Sequence, residues 1–582
     1  MIRLARRAAN LALNNPAPYT YEPLPRSHSR TNSQNQPTNA LRALPKSKVH
    51  LFFLAFLALI LVTLYSRVPP YPSASTEIQN CARGLRGYDC EPEISHSWGQ
   101  YSPYFAQPLG REFSKCRITF VQALLRHGSR YPTFEKGELY RSLVQRVQRD
   151  VDWSSVDPRS NYTFLREWQY DLGADELTHY GRQEMLSAGS HFFRRYEEGL
   201  AGRFVPFVRA SGSQRVVHSA QLWVQGYSNA KNGSGTPNAE MPQVDLVIPE
   251  TEGTNNTLSH NLCTNFEQGT YENADVASIA QETWSEIFAT PIQQRLNAAL
   301  PGANLTRQET IYFMDLCPFT TVAAQGGIPT PYCHLFNETE WAGYDYYQTL
   351  GKYYAYGSGN PLGPTQGVGF ANELIARLSN TAVNDSTTTN STLDNSNVTF
   401  PLDRRLYVDF THDNDLIAIF SALNLYNLTT LNLTSESDFY PPPSDTPEGN
   451  ITYYSTPRHP LPITNLTTPA LASGFSAAHV VPFGARAYVE KMKCEGEPQE
   501  MVRLIMNERL VHLGFCGGDS DGLCPVGAFV QSLEFARAGG RWEQCFGVVR
   551  GDGREETDGN DGDDGDDVDE GGSDIGWDGR WG

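Results

Sequence analysis

A short, mostly apolar run that stops at a basic loop sets the fold class of this chain. Residues 118–125 (ITFVQALL) have the length of a buried strand and end at Arg126-His127-Gly128-Ser129-Arg130. Residues 204–208 and 406–410 follow the same pattern, and the latter precede apolar residues at helical spacing over 416–423. Strands that alternate with helices predict an α/β sandwich.

The remaining core pattern adds more of both elements. A late strand is expected from Pro482, and a hairpin over residues 501–513 with a turn near Asn507. Residues 134–200 and 264–360 are mostly helical in pattern and predict a second, smaller subdomain. Residues 383–399 and 435–449 predict surface loops.

Composition indicates a large folded protein. The chain has 582 residues, of which 40% are hydrophobic and 11% aromatic, so it can bury a sizeable core. A net charge of −19 disfavours nucleic acid as a partner. A local basic pocket is still compatible with this net charge.

One uncharged segment divides the chain. Residues 49–66 contain no Asp, Glu, Lys or Arg and follow a basic leader, which predicts a single-pass signal-anchor with a cytosolic N-terminus. A cleaved leader, and hence a secreted protein, is the alternative. We expect a disordered basic tail at 1–48, a stalk at 67–80, one large folded domain at 81–550 and a disordered acidic tail at 551–582.

The cysteines and the glycosylation triplets agree on compartment. All ten cysteines follow the apolar segment, their number is even, and none forms a C-x-x-C pair. This pattern favours disulfides in an oxidising compartment over zinc. Twelve N-x-S/T triplets also follow the segment, although chance triplets can go unused. The folded domain is therefore expected on the lumenal or extracellular side.

The loop after the first strand carries the clearest chemistry. Arg126 and Arg130 flank His127 at a strand end, where ligands gather in open α/β sheets. Guanidinium forks suit phosphate oxygens, and nearby cations depress the pKa of a histidine, which can then stay neutral and nucleophilic. A solvated basic loop is the alternative, but it explains neither Gly128 nor the position at a strand end.

Two further loops occupy equivalent positions. His412 and Asp413 lie between a strand and a helix, whose N-terminus offers free N–H groups to an anion. Capping of that helix by Asp413, Asn414 or Asp415 is the simpler reading, and both can hold together. Arg209 follows another strand and is a weak signal by itself.

Together these segments resemble the histidine acid phosphatases, with spacing similar to the fungal phytase branch. RHGSRYP supplies the family's R-H-G-x-R-x-P, and residues 412–413 supply its H-D pair. The likeness extends to residues 81–105, 359–378 and 533–545, and so covers about residues 81–548. It implies the histidine phosphatase fold, a large α/β domain with a smaller, mainly helical subdomain inserted.

The resemblance also implies roles for the site residues. His127 would attack phosphorus and form a phosphohistidine, and Asp413 would protonate the leaving alkoxide. The phosphoryl oxygens would be held by Arg126, Arg130, Arg209 and His412. Because an alkoxide is a poor leaving group, Asp413 must be protonated when needed, which predicts an acidic optimum. No metal or other cofactor is expected.

Three residues are candidates for substrate binding. Lys136 matches a lysine that lines the phytase pocket, Lys352 stands where similar enzymes often carry a lysine pair, and Thr133 ends the first motif. A solvated surface lysine is the alternative for both lysines. Asp415 replaces a usual glycine, and like-charge repulsion is expected to raise the pKa of Asp413.

The expected function is hydrolysis of phosphomonoesters, with phytate (myo-inositol hexakisphosphate) as the substrate of a monomeric enzyme. A broad acid phosphatase with little phytate preference is the first alternative, and a non-catalytic, membrane-tethered binding protein on the same fold is the second. The resemblance pairs the cysteines as Cys81–Cys90, Cys116–Cys494, Cys263–Cys545, Cys317–Cys333 and Cys516–Cys524.

Overall fold

A mixed sheet organises the part of the chain that the computed structural model describes, residues 81, 86–107, 115–234, 240–271, 273–426, 461, 475–519 and 521–546. The strands follow the order β3-β2-β4-β1-β5-β6-β7, and β8 pairs with β6. The first four strands are mutually parallel, and the others are antiparallel to their neighbours. The strands are β1 (Cys116–Arg126), β2 (Phe207–Ser211), β3 (Leu246–Ile248), β4 (Leu406–Thr411), β5 (Arg486–Cys494), β6 (Met501–Met506), β7 (Arg509–Val511) and β8 (Cys524–Pro525).

Helices cover both faces of this sheet and fill the long segments between strands. The α-helices are α1 (Pro92–Ser95), α2 (Phe134–Asp150), α3 (His179–Tyr196), α4 (Gln214–Gly233), α5 (Thr264–Gln268), α6 (Val276–Ala299), α7 (Arg307–Ala323), α8 (Glu338–Tyr356), α9 (Gly363–Gln366), α10 (Val368–Ser379), α11 (Ser391–Asp394), α12 (Asp413–Ala422), α13 (Ala477–Val480), α14 (Val526–Ser532) and α15 (Glu534–Arg537). A short π-helix spans Glu197–Ala201, and short 3-10 helices span Gly99–Tyr101, Thr163–Arg166, Gln325–Gly327, Cys333–Leu335, Gly514–Cys516 and Trp542–Cys545.

Side chains of the central strands alternate between two apolar cores, as strands buried on both faces require. Leu125 of β1 packs in a cluster with Phe192 of α3 and Trp223 of α4. Its neighbour Leu124 belongs to the larger cluster, which includes Leu350 of α8. The predicted α/β sandwich with a mainly helical part is confirmed.

The register brings three strand ends to one edge of the sheet. Arg126 at the end of β1 pairs with Thr411 at the end of β4. Ala210, one residue before the end of β2, pairs with Phe410. The loops that follow all three strands therefore start side by side, and these are the loops that carry the sequence motifs.

Ten cysteines form five disulfides, and the pairing is the one that the resemblance implies. The bonds are Cys81–Cys90, Cys116–Cys494, Cys263–Cys545, Cys317–Cys333 and Cys516–Cys524. The second joins β1 to β5 at a register pair, at the end of these strands away from the motifs.

The predicted strand at 204–208 is shifted. β2 begins at Phe207, because the N–H of Phe204 donates to the carbonyl of Leu200 and Pro206 has no N–H to give to a ladder. The predicted loop at 383–399 contains the short helix α11, which the side chain of Asn390 caps.

Several expectations lie outside the described residues. These are the basic tail at 1–48, the anchor at 49–66, the stalk at 67–80, the loop at 435–449 and the acidic tail at 551–582. Within the described ranges, no helix has both the length and the apolar character needed to cross a membrane.

Candidate active site

His127 follows β1 directly and is 1% exposed. Its Nδ1 lies 2.9 Å from the carbonyl oxygen of Gly128. Because a carbonyl oxygen can only accept, Nδ1 carries the proton, and in the neutral ring Nε2 keeps its lone pair. The imidazole is thus oriented with its nucleophilic nitrogen away from its own backbone.

The surroundings of His127 keep the ring neutral. Burial lowers the pKa of His127 well below its usual value, and the positive charges of Arg126 and Arg215 act in the same direction. The depressed pKa expected from the sequence is confirmed. A neutral imidazole is the form that can attack phosphorus, so the nucleophile remains available at acidic pH.

Gly128 is required by a close backbone approach. A Cβ at this position would lie 2.6 Å from the carbonyl oxygen of Gly181, in the first turn of α3. A Cβ at Gly181 would lie 1.9 Å from the carbonyl oxygen of Ser129. The loop and the helix therefore pack backbone against backbone, which fixes the position of His127.

Glu184 of α3 holds this loop in place through hydrogen bonds. Its Oε2 accepts from the N–H of Ser129 at 2.7 Å and from the Ser129 hydroxyl at 3.1 Å. Its Oε1 accepts from the N–H of Tyr104 at 2.8 Å. Sequence reasoning missed this residue, because a buried glutamate inside a helix leaves no motif.

Arg126 and Arg130 are both buried beside His127. Nη1 of Arg126 donates to the carbonyls of Gln100 and of Val481, the latter at 2.7 Å. Its Nε has no hydrogen-bond partner among the described residues. Burial lowers the pKa of Arg126 to about 10, so the side chain stays cationic at acidic and neutral pH. The unsatisfied N–H is a ready donor for an anion.

His412 occupies the N-cap position of α12 without a capping hydrogen bond from its side chain, and its ring centroid lies 5.4 Å from that of His127. Nη2 of Arg215 lies 3.4 Å from Nδ1 of His412, and Nε2 of His412 lies 3.1 Å from Oε1 of Glu250. Burial acts to raise the pKa of Glu250, but the hydrogen bond from His412 and others lower it to about 2. Glu250 is therefore an anion that orients His412.

Asp413 begins α12 and contacts two cations. Its Oδ1 lies 3.3 Å from Nη2 of Arg126, and its Oδ2 lies 2.6 Å from Nζ of Lys352. Burial acts to raise the pKa of Asp413, but Arg126 and Lys352 hold it well below its usual value. The expectation that Asp415 raises this pKa is wrong.

The physical reason is that other groups balance the charge of Asp415. Its Oδ2 accepts from the hydroxyl of Thr411 at 3.1 Å. Burial raises the pKa of Asp415, and the charge of His260 opposes this effect. His260 in turn has a pKa of about 9, because Asp415 and its hydrogen bond to Glu267 outweigh the lowering effect of burial. The charge of Asp415 is thus opposed mainly by that of His260.

Lys352 lies in α8 and is 8% exposed, so it is not a solvated surface lysine. Its Nζ lies 2.6 Å from Asp413 and 2.5 Å from Oδ1 of Asn414. The structure therefore places this predicted substrate-binding residue against the predicted acid.

Replacing Lys352 by methionine is expected to raise the pKa of Asp413, since a cation that stabilises the carboxylate is lost. A general acid works when protonated, so the alkaline limb of the kcat–pH profile should move upward by about one pH unit. Lys352→Arg keeps the charge and is the matched control. A limb that stays in place, or moves downward, would contradict the assignment of Asp413 as the acid.

Arg209 is not brought to this cluster. Its Nε lies 2.8 Å from Asp409 and its Nη2 lies 2.5 Å from Glu373, and the residue is 1% exposed. Its guanidinium is already bound to two carboxylates inside the fold. The prediction that Arg209 holds phosphate is therefore wrong on these contacts.

Arg215 occupies the place that the prediction gave to Arg209. It lies in the first turn of α4, contacts His412, and adds its charge to the field at His127. Burial lowers its pKa to about 10. The strand-end rule could have found it, because β2 runs on to Ser211 and places the next loop and helix turn at the site. The same rule applies to Glu250, which follows β3.

The other two substrate candidates lie at the start of α2. The Thr133 side chain accepts from the N–H of Lys136 and so caps this helix. Nζ of Lys136 lies 5.0 Å from the ring centre of Tyr312, and burial lowers its pKa while Asp315 opposes the shift. Among the described residues, no group of three or more His, Cys, Asp or Glu is placed to hold a metal ion.

This sheet edge, with a neutral histidine among arginines and a carboxylate, defines a histidine phosphatase. The model of the histidine phosphatase superfamily, branch 2, matches residues 117–507, and the chain belongs to that family. Two curated relatives are the Phytase A proteins of Aspergillus oryzae and Emericella nidulans. Each is 42% identical, over 83% and 84% of this chain and 97% and 98% of the relative's length.

Solved structures share the fold. The phytase from D. castellii covers 78% of this chain and 87% of its own, with a TM-score of 0.57 and 18% identity. The predicted family and enzyme class are confirmed, and the chain is a phosphoric monoester hydrolase.

Proposed function

We propose that this enzyme hydrolyses phosphomonoesters in two displacements at His127, with phytate as its substrate. The observation that carries the proposal is the buried, neutral imidazole whose Nδ1–H is held by Gly128 and whose ring lies among arginines. Covalent catalysis divides one difficult displacement into two easier ones.

In the first step, Nε2 of His127 forms a bond to phosphorus as the ester P–O bond breaks. The leaving oxygen takes a proton from Asp413. In the second step, a water molecule attacks phosphorus and gives a proton back to the Asp413 carboxylate, and the P–N bond breaks. Phosphate leaves, and both side chains return to their starting states.

Positive charge around His127 would stabilise both transition states. We assign the phosphoryl oxygens to Arg126, Arg130, Arg215 and His412. Fixed cations in a buried site stabilise developing charge without reorganisation, and this is usually the largest single contribution to catalysis.

Because the pKa of Asp413 is low in the free enzyme, protonation of Asp413 depends on the binding of substrate. In the free enzyme its carboxylate is held ionised by Arg126 and Lys352. A bound phosphate brings negative charge to Arg126 and weakens the hold of that cation on the carboxylate. The pKa of Asp413 then rises, and acidic solution supplies the proton. This supports the acidic optimum.

Arg215 and Arg209 give opposite predictions. Arg215→Ala is expected to lower kcat/KM by about 10²- to 10³-fold with little change in the unfolding midpoint. Arg209→Ala is expected to lower the free energy of unfolding by about 3–5 kcal/mol, because Asp409 and Glu373 lose their buried partner. Steady-state kinetics and urea unfolding of both variants test this. Equal losses of activity per folded molecule would contradict the assignment.

The relatives named Phytase A support phytate as the substrate. The test compares kcat/KM of the full chain for phytate and for 4-nitrophenyl phosphate at mildly acidic pH. A clear preference for phytate is expected. Equal values for the two substrates would favour the alternative of a broad acid phosphatase.

We also propose that the enzyme works outside the cytosol as a monomer. Five disulfides support an oxidising compartment. Attachment through residues 49–66 and release after cleavage remain the two forms of this proposal. Fractionation of cells that express the full chain distinguishes them.

A further inference from the structure

A cavity lies next to the active site and shares Arg215 with it. It has a volume of about 190 Å³ and lies between the start of α4, the start of α3 and the loop before α3. It is lined by Asp175, Glu176, Leu177, Arg182, Ser213, Gln214, Arg215 and His218. None of these residues except Arg215 has a part in the proposed mechanism.

Arg215 contacts groups on both sides. One of its terminal nitrogens contacts His412 in the active site, whereas its Nε has no hydrogen-bond partner among the described residues. The N–H of Ser213 donates to Glu250, which holds His412. A ligand that fills the cavity is therefore one side chain away from the phosphate held at His127.

The lining offers donors that are not committed elsewhere. Arg182 is exposed on α3 and forms no ion pair with any described residue. His218 lies one turn further along α4 than Arg215, on the same side of that helix. α4 is a helix of 20 residues that begins at Gln214, so its positive dipole end faces this cavity. These groups together suit an anion with several oxygens.

Two carboxylates also line the cavity, and their contacts with other residues differ. Asp175 accepts from the N–H of Phe134 at 3.2 Å and lies 4.0 Å from Arg215. Glu176 is exposed at the rim, and its charge acts on His218. A rim carboxylate repels an anion but can accept from a hydroxyl group.

The size of the cavity limits its ligand. About 190 Å³ corresponds to about six water molecules at liquid density, which is enough for a phosphate group but not for a whole inositol hexakisphosphate. A substrate with several phosphates on one ring can place one phosphate at His127 and another here.

We infer that this cavity is a subsite for a second phosphate group of an inositol phosphate, bound by Arg182 together with Arg215. The inference rests on the proposed function, since a substrate with one phosphate cannot use both spaces. Arg182 then raises affinity for polyphosphorylated substrates, and Glu176 limits it by repulsion.

Charge variants of opposite sign provide the test. Arg182→Gln is expected to raise KM for phytate by about three- to tenfold, whereas KM for 4-nitrophenyl phosphate changes less than twofold. Glu176→Gln is expected to lower KM for phytate. Arg194→Gln is the matched control, because Arg194 is exposed on the same helix and does not line the cavity.

The possible results separate the subsite from the proposed function. Normal phytate turnover with both variants indistinguishable from Arg194→Gln would overturn the subsite alone. So would equal effects on both substrates. A wild-type enzyme that hydrolyses 4-nitrophenyl phosphate but neither hydrolyses nor binds phytate would overturn the subsite and the phytate proposal together, and would leave the chemistry at His127 in place.

Discussion

Replacing His127 by alanine is expected to lower kcat by at least about 10⁴-fold with every phosphomonoester. The reason is that Nε2 is the only protein group that bonds to phosphorus in the proposed scheme. Arg126, Arg130 and Arg215 remain, so phosphate should still bind. The measurement is phosphate release at saturating substrate, together with binding of inorganic phosphate.

Folding must be separated from chemistry in this variant. His127 is buried, and its side chain bonds to Gly128 within its own loop, whereas Glu184 holds that loop through Ser129. We therefore expect the thermal unfolding midpoint to change little. His127→Ala that keeps more than a tenth of wild-type kcat while folded would contradict the role of this residue.

Replacing Asp413 by asparagine is expected to lower kcat by about 10²- to 10⁴-fold with phytate and far less with 4-nitrophenyl phosphate. An inositol alkoxide needs a proton to leave, but nitrophenolate leaves without one. The ratio of the two kcat values, variant against wild type, isolates the acid from all effects on binding.

The same variant has a structural cost that must be measured. Asp413 neutralises Arg126 and Lys352, and its loss leaves these two buried cations without a carboxylate between them. Unfolding of Asp413→Asn in urea therefore accompanies the kinetics. Equal losses with both substrates in a folded variant would show that Asp413 positions cations and donates no proton.

Sequence reasoning located the site because strand ends in a parallel sheet meet at one edge. The loops at His127 and His412 follow β1 and β4, which are neighbours in the sheet. Both loops are local in sequence, and so are their motifs. The same rule misled at Arg209, where the end of β2 was placed three residues too early and the wrong arginine was chosen.

Ion pairs between residues that are distant in sequence could not be predicted. Lys352 reaches Asp413 across 61 residues of sequence, and Glu184 reaches the His127 loop across 55. The expected increase in the pKa of Asp413 was wrong for the same reason. His260, whose charge opposes that of Asp415, lies far away along the chain. Tertiary packing determines which cation lies next to which carboxylate. It therefore also determines the pKa of Asp413.

The most direct measurement is capture of the covalent intermediate. Enzyme is mixed with ³²P-labelled substrate, quenched in alkali within the first turnovers, and digested for peptide mapping. The account predicts label on the peptide that contains residue 127, bonded to nitrogen and released by mild acid. Label on a hydroxyl side chain, or turnover with no labelled protein, would contradict it.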